Sequence, residues 1–176
     1  MKRLNNKKGF TLVELLAVIV VLAIVMGLAV VGITSVLDST RKSAFASDAK
    51  SYIEGARALV RSDEATVMLG GSSIYTPACN QSTSQSKQID IKNIKLDSGG
   101  TSPYGTKYKD DSSTNTTDYS YVKVTATYNT ASGTCEYTYA VYLTDGTFKL
   151  GTFASPIDSD KVNGNCVSTS GTCPTN

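Results

Sequence analysis

The amino-acid sequence predicts an α+β protein in which one long amino-terminal helix packs on a small antiparallel β-sheet. First, an uncharged apolar run from Leu15 to Leu37 precedes a polar, helix-forming segment, with no proline before Pro77. Second, the composition changes after residue 70 to Ser, Thr and Tyr, and apolar residues alternate there as they do in strands. Third, the polar part of the helix carries an apolar stripe that offers the sheet a partner.

Composition divides the chain into four segments. Residues 1–9 are a basic leader, residues 10–37 a transmembrane or assembly helix, residues 38–70 the amphipathic half of that helix, and residues 71–176 a carboxyl-terminal antiparallel sheet with loops. The leader holds four of the 17 Lys and Arg residues and no acidic residue, so the net charge of +2 becomes −2 without it. The remainder therefore offers little electrostatic attraction for nucleic acid, and whether it binds nucleic acid is left open.

The first half of the predicted helix is long enough to cross a membrane. From Phe10 to Leu37 the chain carries one charge, on Glu14, and the uncharged part would rise about 34 Å as a helix. The basic leader favours a cytoplasmic amino end. A secretory signal peptide cut after Ala46 is disfavoured, because the apolar run is longer than the core of such peptides.

The second half of the helix is amphipathic. Phe45, Ala49, Tyr52, Ala56 and Leu59 recur at spacings of three and four, which places them on one face. Two consecutive glycines at positions 70 and 71 predict the end of the helix. We expect this face to cover one side of the sheet.

Alternating residues and turn signals predict the strands of the sheet. The predicted strands are residues 88–96, 119–128 and 135–143, with a turn at 129–134 and a hairpin at Asp145-Gly146 that leads into 147–151. Residues 97–118 and 152–176 are polar and rich in turn-forming residues, so we predict long surface loops there.

An even number of cysteines in a Ser- and Thr-rich polar region favours two disulfide bonds and an oxidising, non-cytosolic location over scattered reduced thiols. The chain has no histidine and four cysteines without metal-ligand spacing, so we predict no metal centre, no cofactor and no histidine-based catalytic centre. Three pairings are possible; we favour Cys79 with Cys135 and Cys166 with Cys173. Calcium binding by the polar loop at residues 158–164 is left open, because its spacing differs from that of an EF-hand.

The junction between leader and helix carries the most specific signal. Lys7-Lys8-Gly9-Phe10-Thr11-Leu12-Val13-Glu14-Leu15-Leu16, followed by an uncharged apolar run, resembles the processing site of type IV pilins and pseudopilins. The resemblance implies that a membrane prepilin peptidase cuts after Gly9 and methylates the new amine of Phe10. It also implies that Glu14 neutralises the amine of Phe10 on a neighbouring subunit during filament assembly. The chain departs from many family members at Val31, which lies where they carry a proline.

The resemblance predicts a structural subunit of a type IV pilus rather than an enzyme. Its partners would be related pilin subunits, the prepilin peptidase and the pilus assembly machinery. The chain would lie in the cytoplasmic membrane before assembly and outside the cell afterwards. Two alternatives remain: a minor pilin or pseudopilin of a type II secretion or DNA-uptake system, and an uncleaved single-span surface binding protein. Adhesion, motility and DNA uptake are not distinguished by the sequence.

Overall fold

The computed structural model describes residues 10–79, 81, 83–96, 99–110 and 118–173. Two compact units are distinguished, Met1–Ser39 and Thr40–Asn176. The described part of the first unit is mainly helical, and the second holds the rest of the helix and the β-sheet. The predicted fold class, a long helix packed on a small antiparallel sheet, is confirmed.

Helix α1 is one element, Leu12–Met68. It ends where the sequence predicts, through a Schellman motif. Gly71 N–H donates to the carbonyl of Thr66 at 3.0 Å, and Gly70 N–H donates to the carbonyl of Val67 at 3.0 Å. Gly70 has a φ of +89°, a conformation that other residues seldom adopt, which is why glycine is needed at this position.

Within the described residues, the sheet has six strands that pair antiparallel. They are β1 (Gln85–Asp90), β2 (Tyr121–Asn129), β3 (Thr134–Thr144), β4 (Lys149–Leu150), β5 (Ile157–Asp158) and β6 (Val167–Ser168). The order is β1-β2-β3-β4-β6, and β5 also pairs with β3. The three longest strands, β1, β2 and β3, therefore lie side by side.

Two sequence expectations about this sheet are wrong in detail. The strand predicted at 88–96 ends at Asp90, and a 3₁₀ turn follows at Ile91–Asn93. The turn lets Ile89, Ile91 and Ile94 all be buried, whereas strict alternation would place Ile94 on the opposite face. The region 152–176, expected to be loop, contributes β5 and β6, which are too short to show an alternating pattern.

The core lies between α1 and the sheet. Phe45, Ala49, Tyr52 and Ala56 are buried, as the helical spacing predicts, while Leu59 is only partly buried. The sheet side of the core includes Val122, Val124, Val141 and Leu143, all fully buried. The other face of the sheet is buried as well. There, Tyr121 and Tyr142 are each 1% exposed and pack against Phe153.

The second unit contains two disulfide bonds. Cys79–Cys135 links the segment after α1 to β3, and Cys166–Cys173 closes a ring across a sequence separation of 7. These are the two pairs that the sequence analysis favours. No free cysteine occurs among the described residues.

Candidate functional site

The first unit presents an apolar helical surface without a cover. Every large apolar side chain that the structure describes between Phe10 and Leu37 is exposed, from 48% at Leu22 to 90% at Phe10. Soluble monomers rarely expose apolar surfaces of this extent. This segment therefore needs either lipid or other protein around it.

A bilayer is one suitable environment for this segment. Among the described residues, α1 is the helix that is long and apolar enough to cross a membrane. The burial of such a segment in lipid removes its apolar surface from water, and its backbone groups are already paired within the helix. The apolar start of α1 thus fits anchoring in a membrane before assembly.

A capping box forms the start of α1. Thr11 N–H donates to Glu14 Oε2 at 2.9 Å, and the Thr11 hydroxyl donates to the same oxygen at 2.8 Å. In return, Glu14 N–H donates to Thr11 Oγ1 at 3.3 Å. The pair thereby satisfies two N–H groups that the first turn of a helix leaves without backbone partners.

The structure describes Phe10 and Glu14, two of the three residues that the sequence predicts for processing and assembly. Gly9 lies outside the described residues. Phe10 is 90% exposed, the highest value among the large apolar side chains described in this segment. Glu14 is exposed as well. Sequence analysis did not identify Thr11 as the partner of Glu14. The signal was present, since Thr-x-x-Glu directly before an apolar run is the pattern of a capping box.

The polar loop at residues 158–164 is organised by its own side chains. Lys161 Nζ lies 3.3 Å from Asp158 Oδ2, and Asn163 Oδ1 accepts a hydrogen bond from Asn165 N–H at 2.9 Å. Within the described part of the chain, no cluster of three or more His, Cys, Asp or Glu side chains is arranged to hold a metal ion.

The family model described as the prokaryotic N-terminal methylation motif matches residues 4–30. This range contains the capping box and most of the apolar segment. No curated protein and no solved structure matches the chain. The motif implies processing by a prepilin peptidase and engagement with pilin assembly machinery. The chain thus carries the type IV prepilin-like signal motif, which supports a type IV pilin-like or pseudopilin precursor.

Proposed function

We propose that this protein is a structural subunit of a type IV pilus filament, cleaved after Gly9 and assembled through its amino-terminal helix. The observation that carries the proposal is the methylation motif at residues 4–30 joined to an exposed apolar helix. The subunit is anchored in the cytoplasmic membrane before assembly and lies outside the cell as part of the filament afterwards. Two disulfide bonds in the second unit agree with an oxidising destination.

Filament assembly replaces lipid around the helix with copies of the same helix. Both environments keep apolar surface away from water, so the exchange loses little of the hydrophobic stabilisation. Cleavage after Gly9 removes the four positive charges of the leader, whose burial in a filament core would be costly. It leaves a single new positive charge, the amine of Phe10.

Glu14 is the group proposed to neutralise that amine on a neighbouring subunit. Both capping bonds from Thr11 go to Oε2, and Oε1 takes part in neither of them. One carboxylate is therefore able to cap its own helix through Oε2 and meet the amine of a second copy through Oε1. Pairing two charges that are each costly in an apolar core favours a fixed register between the helices.

Mass spectrometry of the mature amino terminus tests the proposal. The expected product begins at Phe10 with a methylated amine, and it is found in purified filaments. A chain that retains Met1 in membranes would instead favour the uncleaved surface binding protein. A product cut after Ala46 would reject processing at the prepilin site altogether.

A matched pair of variants separates the two roles of Glu14. Glu14→Val removes both the charge and the cap, while Glu14→Gln keeps a capping acceptor but removes the charge. We expect both variants to be cleaved normally and both to form few filaments. Normal filaments from Glu14→Gln would show that capping, rather than charge pairing, is what assembly requires.

The same motif also precedes minor pilins and pseudopilins, so filament composition decides between them and a major subunit. Long filaments made mostly of this chain support the major subunit. A small number of copies in filaments built from another chain supports the alternative.

A further inference from the structure

A second exposed apolar surface lies at the end of α1. Beyond Leu37, the large apolar side chains that the structure describes as exposed are Val67 (43%), Met68 (87%), Leu69 (90%) and Ile74 (67%). Val67 and Met68 lie in the last turn of the helix, Leu69 in the turn that follows, and Ile74 in a bend further along the chain. We name these four residues the helix-end patch.

The helix-end patch borders a cavity of about 480 Å³. Val67 and Met68 form part of its wall, together with Pro77, Ala78 and Cys79. Glu64, Lys87 and Tyr137 supply the polar groups around it. The surface thus combines projecting apolar side chains with a recess large enough for apolar side chains of a partner.

The segment that carries the patch is held in place by several bonds. Asp63 accepts hydrogen bonds from the N–H groups of Ile74, Tyr75 and Thr76 at 2.7–3.1 Å. Lys87 Nζ donates to the carbonyl of Ile74 at 3.3 Å. With the Schellman motif before it and the Cys79–Cys135 disulfide after it, this surface is organised before any partner arrives, which lowers the entropy cost of docking.

We propose that the helix-end patch of one subunit docks the apolar helix segment 15–37 of a second copy. This inference rests on the proposed filament function. The helix-end patch and residues 10–37 carry the exposed large apolar side chains in the described part of the chain. Segment 15–37 is uncharged, so it brings no charge into the recess that would need a partner there. When each copy uses its patch for one neighbour and its helix for another, the contact is heterologous, which is the type of contact from which open filaments are built.

Crosslinking within filaments tests the contact directly. A photoreactive phenylalanine analogue at position 69 of the full chain is incorporated into filaments built from isotopically light and heavy copies. We expect mixed light–heavy crosslinks between position 69 and peptides from residues 15–37. The same analogue at exposed Thr138 in β3 is the matched control and is expected to give at least tenfold fewer of these crosslinks. Crosslinks to residues 40–173 of the second copy, or to lipid alone, overturn the proposal.

A charge placed in the patch tests its importance for assembly. We expect Leu69→Asp to reduce filament yield at least tenfold, and Thr138→Asp to leave it unchanged. Oxidised cysteines and a normal cut before Phe10 in both variants verify folding and processing. Wild-type yield from Leu69→Asp overturns the docking site and leaves the filament function standing. Absence of filaments from the unaltered chain rejects the filament function itself.

Discussion

Asp63 is the residue whose replacement gives the sharpest test of how the second unit is stabilised. It lies in α1, is 6% exposed, and accepts bonds from three consecutive backbone N–H groups and from the Ser73 hydroxyl. Burial by itself raises the pKa of this carboxyl, but the hydrogen bonds, with those from Ile74 and Thr76 foremost, hold its pKa well below the usual range. The ionised form is therefore the one that the fold stabilises.

The cost of losing this carboxylate follows from which donors are buried. Ile74 is exposed, so water replaces the bond to its N–H, whereas Thr76 is 8% exposed and its N–H would lose its partner. A buried donor without a partner costs about 1–3 kcal/mol, and bonds to a charged acceptor are the stronger ones. We expect Asp63→Ala to lower the free energy of unfolding by about 3 kcal/mol. Asp63→Asn, which keeps one acceptor, should lower it by about 1–2 kcal/mol.

Thermal unfolding of the full chain in detergent, followed by the near-ultraviolet circular dichroism of its tyrosines, measures the effect. A loss of about 3 kcal/mol should lower the Tm by about 10 °C. Asp158→Asn is the matched control, because its pair with Lys161 is exposed and should contribute less than about 0.5 kcal/mol. Equal Tm values for Asp63→Ala and Asp158→Asn would refute the reasoning.

The pKa shift of Asp63 also gives a signed pH dependence. Because the folded pKa lies below the unfolded value of about 3.9, the contribution is complete above that value. It is lost as the pH falls from about 4 towards the folded pKa. The stability difference between the unaltered chain and Asp63→Asn should therefore be constant near neutrality and shrink below about pH 4. A difference that grows on acidification would contradict the assignment.

Two further predictions concern the packing and the crosslinks of the second unit. A Cβ on Gly55 would overlap with Ile94 Cγ2, so Gly55→Ala should destabilise by about 1–2 kcal/mol despite its gain in helix propensity. In an Ile94→Ala background the same change should be neutral or stabilising, and denaturant unfolding of the four chains checks this. Replacing Cys79 and Cys135 by Ser should cost about 4 kcal/mol, because that bond closes a sequence separation of 56. Loss of the carboxyl-terminal disulfide, with a separation of 7, should cost about 2.5 kcal/mol. A larger cost for this disulfide than for Cys79–Cys135 would contradict the view that disulfides stabilise by lowering the entropy of the unfolded chain.

The order of elements could be read from the sequence because each has a strong local pattern. Three such patterns are the apolar run, the stripe from Phe45 to Ala56 and the paired glycines after α1. Each can be recognised from residues that are close together in the chain. The signal at Gly9 to Glu14 is equally local. The helix, its end and the two longest strands were therefore predictable within a few residues.

Other features of the protein depend on contacts between residues far apart in the chain. The 3₁₀ turn after β1 allows Ile91 and Ile94 both to be buried in the core that α1 shares with the sheet. The alternation of residues within the strand does not predict this turn. The strands β5 and β6 form only because β3 and β4 are already there to pair with them. Phe153 packs on Tyr121 and Tyr142, on the face of the sheet away from α1, although its own segment is rich in polar residues.

The sequence by itself determined that this chain has an apolar helix with a processing signal, because both are properties of contiguous residues. Only the tertiary structure decided that Asp63 anchors the segment after α1, and that four apolar side chains remain exposed there, of which Val67 and Met68 line a cavity. The reason is that burial and hydrogen bonding between distant residues depend on how the whole core packs, and no local pattern of the chain encodes that packing.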